Sequence, residues 1–166
     1  MATHLKNLSI TSLESQDWFS GLNIAIVVAD WNPRVTHSMR DAAINFLVEK
    51  GVPESQIFIH PVPGTFELPL GAQWAAQLPT IHAVIAIGCV IQGETRHFDF
   101  ICDACANGIK DVSLKFNKPV IFGVLTTQNL EQALDRSGGK HGNKGIEAAE
   151  TALSMCLLYK SLNETV

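Results

Sequence analysis

Asn23 to Asp30 reads NIAIVVAD, a short unbroken apolar run rich in Ile and Val. Such a run belongs to a strand covered on both faces of a parallel sheet. A parallel strand needs a crossover before the next one, and that crossover is usually a helix. Met39, Ala43, Phe46 and Leu47 recur at helical spacing after the run, and Gly51 followed by Pro53 supplies the stop. The unit then repeats. Gln56 to Val62, Ile81 to Ile91 and Pro119 to Thr126 (PVIFGVLT) read as strands. Thr65 to Leu78 and Phe98 to Phe116 read as helices, the second with Phe98, Ile101, Cys102, Cys105, Ile109 and Val112 on one face. A short helix over Asn129 to Arg136, a glycine-rich basic loop over Gly138 to Gly145 and an amphipathic helix over Ile146 to Leu162 complete the chain. Alternating β and α elements with right-handed crossovers predict a doubly wound α/β fold, a parallel sheet with helices on both faces.

The 166 residues accommodate a polar N-terminal leader over Met1 to Ser20 and a single domain over 21–166. Only 17% of residues are charged, against about 25% in soluble domains, and mean hydropathy is +0.15. That leaves little polar surface for a monomer. The longest apolar stretches, Ile24 to Ala29 and Ala83 to Ile91, fall far short of the roughly 20 residues that span a bilayer, so self-association is the expected outlet. A net charge of −4 excludes a chain-wide basic field that would recruit nucleic acid. The first twenty residues lack an apolar core before a cleavage site, which points to the cytoplasm, and Cys89, Cys102, Cys105 and Cys156 are expected as free thiols. The CxxC spacing of Cys102 and Cys105 lies mid-helix on the apolar face without a second ligand pair, so it reads as core and no metal is expected.

Ligands of open α/β sheets bind beyond the carboxyl ends of the strands. The loops there are Asp30 to Pro33, Pro63 to Glu67, Gln92 to His97 and Thr126 to Asn129. Gly88 to Phe100 (GCVIQGETRHFDF) leaves a strand, passes Gly93 and enters a helix near His97. Close backbone approach at the glycine, the unpaired amides of Glu94 to His97 and the helix dipole suit an anion, phosphate above all. An ordinary turn with Thr95 as helix cap explains the same residues without a ligand. His97 weighs against it, because an imidazole beside an anion-binding loop is suited to accept or donate a proton.

In Pro63 to Leu70 (PGTFELPL) a Pro-Gly turn precedes a helix. Thr65 can cap it and Glu67 can complement its dipole, while Phe66 offers an aromatic wall to a flat ligand. Trp31 ends the first strand, where it can stack on a heterocycle or serve core and interface. Arg136 to Gly145 (RSGGKHGNKG) reads as a solvated basic loop whose Arg136 can grip a phosphate bidentately. It follows a helix and lacks the GxxxxGK[ST] spacing, and no GxGxxG follows the first strand, so nucleotide and dinucleotide binding are disfavoured.

Pro63 to Pro69 (PGTFELP), Gly88 to Cys102 (GCVIQGETRHFDFIC), Pro119 to Thr127 (PVIFGVLTT) and Gly142 to Gly145 (GNKG), in this order, resemble the 6,7-dimethyl-8-ribityllumazine synthases from about Asn23 to Leu158. The resemblance implies a flavodoxin-like three-layer α/β/α sandwich on a mainly four-stranded parallel sheet, homopentamers that can build a larger capsid, and the penultimate step of riboflavin biosynthesis. In that step 5-amino-6-(D-ribitylamino)uracil condenses with 3,4-dihydroxy-2-butanone 4-phosphate. It implies that Trp31, where Phe is more usual, stacks on the pyrimidine. Val90 and Ile91 then contact the ring, and Thr65, Phe66 and Glu67 bind the ribityl chain. Gly93, Glu94 and Thr95 match the phosphate loop and His97 the proton shuttle. Phe122, Arg136 and Lys144, with Lys140 as a weaker match, would come from a neighbouring subunit. No cofactor, metal, nucleic acid or membrane is implied. The larger face of Trp31 makes a flavin-binding or lumazine-binding carrier the second expectation.

Overall fold

The computed structural model describes residues 13–164. A four-stranded parallel sheet forms its centre, built from β1 (Ile24–Ala29), β2 (Ile57–Val62), β3 (Ala83–Ile91) and β4 (Val120–Thr127) in the order β2-β1-β3-β4. Helices α1 (Pro33–Glu49) and α5 (Lys144–Glu164) cover one face, and α2 (Leu68–Ala76) and α3 (His97–Phe116) cover the other. This is the three-layer α/β/α arrangement that the alternation predicts.

Strand periodicity assigns the two cores. Ile24, Ile26 and Val28 of β1, with Ile85, Ile87 and Cys89 of β3, point toward α1 and α5. Ala25, Val27, Ala29, Val84 and Ala86 point toward α2 and α3. The second set has smaller side chains, and two glycines of α2 and α3 are in close contact on that face. A Cβ added at Gly71 of α2 would lie 2.8 Å from Val27 Cγ1, and one at Gly108 of α3 would lie 2.7 Å from Pro69. β1 is buried along its whole length, as its sequence requires. β2 is an edge strand with Phe58 and Ile59 exposed and Pro61 in its ladder, a position edge strands tolerate.

Several boundaries move for local reasons. The expected helix over Thr65 to Leu78 begins as a 3-10 turn, Thr65–Glu67, before α2 takes over at Leu68. α4 is confined to Leu130–Leu134, and the Asn129 side chain caps it by accepting from the Gln132 N–H at 2.9 Å. The glycine-rich segment expected as a plain loop is a short antiparallel ribbon, β5 (Ser137–Gly139) with β6 (Gly142–Asn143). Gly138 and Gly142 supply the positive φ values that its turn demands.

Of the expected leader, residues 1–12 lie outside the described residues. Asp17–Gly21 forms a 3-10 turn whose Phe19 is fully buried in the α1/α5 core. Packing therefore reaches back into the segment expected to be loose. Among the described residues no helix is long and apolar enough to cross a membrane.

Candidate active site

The strand order reverses between β1 and β3, and the loops leaving their carboxyl ends diverge there. A cavity of about 630 Å³ opens at that point. Trp31 and Asn32 come from the loop after β1, and residues 64–67 come from the turn after β2. Cys89, Val90 and Ile91 end β3 beneath the cavity, and His97 and Ile101 line it from the first turns of α3. Three of the four anticipated loops thus converge. The fourth does not reach the cavity: it is tied down by the Gln92 N–H donating to Thr127 O at 2.8 Å and by the Thr127 hydroxyl donating to Asn129 O at 3.0 Å.

Each wall has a local cause. Asp30 and Trp31 donate their N–H groups to Val62 O at 2.8 Å and Pro63 O at 3.2 Å, extending the β1–β2 pairing past the strand ends. The indole of Trp31 is left 72% exposed over the cavity, and Phe66 opposite is 57% exposed. Thr65 does not act as the cap that its position suggests. Its side chain is buried, and a Cβ on Gly88 would fall 2.9 Å from its hydroxyl oxygen, so β3 needs glycine where the 65–67 turn rests on it. Glu67 folds back toward Gly64, with Oε2 3.1 Å from where a Cβ would stand there.

His97 is the first residue of α3, and its N–H donates to the Thr95 hydroxyl at 3.4 Å, a long cap contact. Among the described residues the backbone N–H groups of Glu94, Thr95 and Arg96 have no partner, which leaves donors at a helix start beside the imidazole. Gly93, Glu94 and Thr95 form the exposed rim rather than the wall. Among the described residues no Lys or Arg lines the cavity. Arg96, on the same rim, turns toward Asp99 (3.6 Å) and the Phe100 ring (5.8 Å).

Phe122, Arg136 and Lys144 stand apart from this cavity within the chain. Phe122 is on β4, 38% exposed. Arg136 follows α4, and its Nη1 donates to Gln132 O at 3.0 Å. Lys144 opens α5 and is paired with Glu147, while Lys140 pairs with Asp135 at 2.7 Å.

A family model described as 6,7-dimethyl-8-ribityllumazine synthase matches residues 21–160. A protein of that name from Cytophaga hutchinsonii is 58% identical over 155 residues, covering 93% of this chain and 97% of its own length. Another from Porphyromonas gingivalis is 48% identical over 160 residues, covering 96% and 99%. The chain belongs to the 6,7-dimethyl-8-ribityllumazine synthase family.

Within this lumazine synthase fold, Asn32, Gly64, Cys89 and Ile101 also line the cavity, and sequence reasoning did not single them out for it. Gly64 and Cys89 sit inside the very motifs that carry the resemblance. Ile101 shares its helical face with the core. Asn32 carries the clearest missed signal, an asparagine directly before a proline at a strand end, because Asn is among the few residues that accept a left-handed backbone. The thiols are inert by environment. Burial pushes Cys89 and Cys156 up to about 11 and, as its leading cause, Cys105 up to about 12. Burial, followed by the charges of Asp99 and Asp103, raises Cys102 as well. Cys89 thus meets the cavity as a protonated wall group; of the CxxC pair, Cys105 is buried in the core under α2 and α3, whereas Cys102, also expected there, is only half-buried.

Proposed function

We propose that this chain condenses 5-amino-6-(D-ribitylamino)uracil with 3,4-dihydroxy-2-butanone 4-phosphate to give 6,7-dimethyl-8-ribityllumazine, phosphate and water. The observation that carries the reading is the convergence of Trp31, Thr65, Phe66, Glu67, Val90, Ile91 and His97, drawn from separate motifs, on one cavity at the sheet's switch point. Two exposed aromatic faces over an apolar floor suit a planar pyrimidine. Trp31 stacks on the ring, Val90 and Ile91 contact it, and the turn of Thr65, Phe66 and Glu67 takes the polyhydroxyl ribityl chain. The rim of Gly93, Glu94 and Thr95, with its unpartnered amides, receives the phosphate.

The reaction starts when the pyrimidine's primary amine attacks the ketone and the adduct loses water to form an imine. His97 relays protons as phosphate departs. After tautomerisation the ribityl-bearing nitrogen closes the ring on the new carbonyl, and loss of a second water from that adduct gives the lumazine. Both substrates are reactive, so most of the acceleration comes from holding them in register, with acid–base help added.

A phosphate dianion in a cavity without a lining cation calls for charge from elsewhere. Arg136 and Lys144 supply it from a neighbouring copy in a homopentamer, and Phe122 of that copy adds an aromatic wall. The exposed Phe58, Ile59, Trp74, Phe100 and Leu114 support such an assembly, since they leave apolar surface that a lone chain cannot hide. Arg136→Ala is expected to raise KM for the butanone phosphate about 10- to 100-fold, the worth of one charge-assisted contact, with kcat little changed. Steady-state kinetics with an unchanged KM would remove Arg136 from the phosphate site.

The deciding assay mixes the two substrates with the protein and follows lumazine absorbance and released phosphate. Acceleration of both over the spontaneous reaction is the expected result. A rate equal to the spontaneous one, in a protein that nonetheless binds the lumazine, would overturn the enzymatic reading in favour of a carrier.

A further inference from the structure

The indole of Trp31 is 72% exposed, and among the described residues neither an aromatic pair nor a cation–π contact holds it. With most of the ring exposed, the backbone that carries it is the hold on its direction that the structure makes visible. On one side that backbone is tied to the end of β2 through the Trp31 N–H and Pro63 O. On the other side stands Asn32, with φ 62° and ψ 52° in the left-handed region, directly before Pro33. A proline steers the residue before it toward extended backbone, so this conformation needs compensation.

The compensation is visible. The β1–β3 ladder ends at Val28 and Ile87, and two residues further along β3 the Cys89 carbonyl accepts from the Asn32 side-chain Nδ2 at 3.0 Å. The Asn32 carbonyl accepts from the N–H groups of Val35 at 2.9 Å and Thr36 at 3.1 Å, starting α1. One residue thus joins β3, α1 and the loop that carries the ring.

We propose that Asn32 is a positioning residue: its side-chain amide latches the loop after β1 to the carboxyl end of β3 and so holds the Trp31 ring at its angle over the cavity. The inference rests on Trp31 being the ring that receives the pyrimidine. Asparagine meets both demands, since it tolerates the left-handed region and donates from a short side chain. Glycine meets the first demand only. Aspartate matches the shape but cannot donate to a carbonyl when ionised.

The test uses the full chain carrying Trp18→Phe and Trp74→Phe, so that Trp31 is the only one of the three tryptophans left. Asn32→Gly and Asn32→Asp are introduced separately, and time-resolved anisotropy is read beside two-substrate kinetics and thermal unfolding. Both variants are expected to enlarge the sub-nanosecond depolarisation of Trp31 at least about twofold. They are also expected to raise KM for the pyrimidine about tenfold, with kcat within about threefold of the parent. Tm should stay within about 4 °C. Parental anisotropy and KM in Asn32→Asp would overturn the latch, even if Asn32→Gly loosens the ring through its own backbone freedom. So would a joint fall of Tm and kcat with KM unchanged, the mark of a purely structural role. If the parent fails to accelerate the two-substrate reaction, the functional reading fails, while the anisotropy, which needs no substrate, still decides whether the latch holds the ring.

Discussion

Gly145→Ala is expected to cost about 3 kcal/mol or more, lowering Tm by on the order of 10 °C or preventing recovery of folded protein. In a helix, alanine should be better than glycine by about 0.5 to 1 kcal/mol, so the expected sign has to be argued. Gly145 is the second residue of α5 and is buried against α1. A Cβ there would stand 1.9 Å from Met39 O, 2.7 Å from Met39 C and 2.9 Å from Met39 Cα. All three are backbone atoms of a helix, which cannot turn aside as a side-chain tip can. Restoring ordinary contact requires α1 and α5 to part by about 1.5 Å, in a core with no slack for it. That core contains Met39, Leu47, Ala149 and Leu153, all fully buried, so the separation would open voids on both sides of the new methyl group. Gly21→Ala is the control, because its Cβ would meet nothing within 4 Å, and it should stay within about 0.5 kcal/mol of the parent. Thermal unfolding of the two variants at equal concentration checks the contrast. A Gly145→Ala protein with parental Tm would mean that α1 and α5 can part at little cost.

His97→Ala is the variant with the largest expected effect on rate that leaves the fold alone. Its side chain is exposed at the first residue of α3, and its backbone N–H, which contacts the Thr95 hydroxyl, is kept in the variant. Stability should therefore change by less than about 0.5 kcal/mol. Turnover should fall about 10- to 100-fold, toward the low side of what a general acid or base contributes. The reason is that the ketone and the aromatic amine react without help once they are held together, so proton relay at the departing phosphate is only part of the barrier. Complete loss of activity in a folded protein would give His97 a larger role than the proposed proton relay. Unchanged turnover would remove it from the chemistry.

How much of this was legible beforehand depends on the distance over which each feature is decided. Ile24 to Ala29 is an unbroken apolar run of six residues, and that run already says strand, buried on both faces. His97 at a helix start after Gly93 is also local, as is the turn that presents Phe66. These features follow from steric and hydrogen-bonding preferences among near neighbours, so a reading of the chain finds them. Thr65 shows the limit. Its sequence context makes it a cap, yet the absence of a side chain at Gly88, on a different strand, draws it into the core instead. The segment after Arg136 shows it too: its glycines announce flexibility, and pairing turns them into the β5–β6 ribbon.

The sequence by itself determined the class of fold, the succession of strands and helices along the core of the chain, the family, and four candidate loops beyond the strand ends, because periodicity and motif spacing are properties of adjacent residues. Only the tertiary structure decided which of the named residues share one cavity and that Asn32 reaches Cys89 across 57 positions. It alone placed Gly145 against the Met39 backbone and left Phe122, Arg136 and Lys144 away from the cavity within their own chain. The physical reason is the same in each case. A hydrogen bond or steric contact between distant segments depends on where the sheet and its helices set their backbones to within about an ångström, and local propensities do not carry that precision.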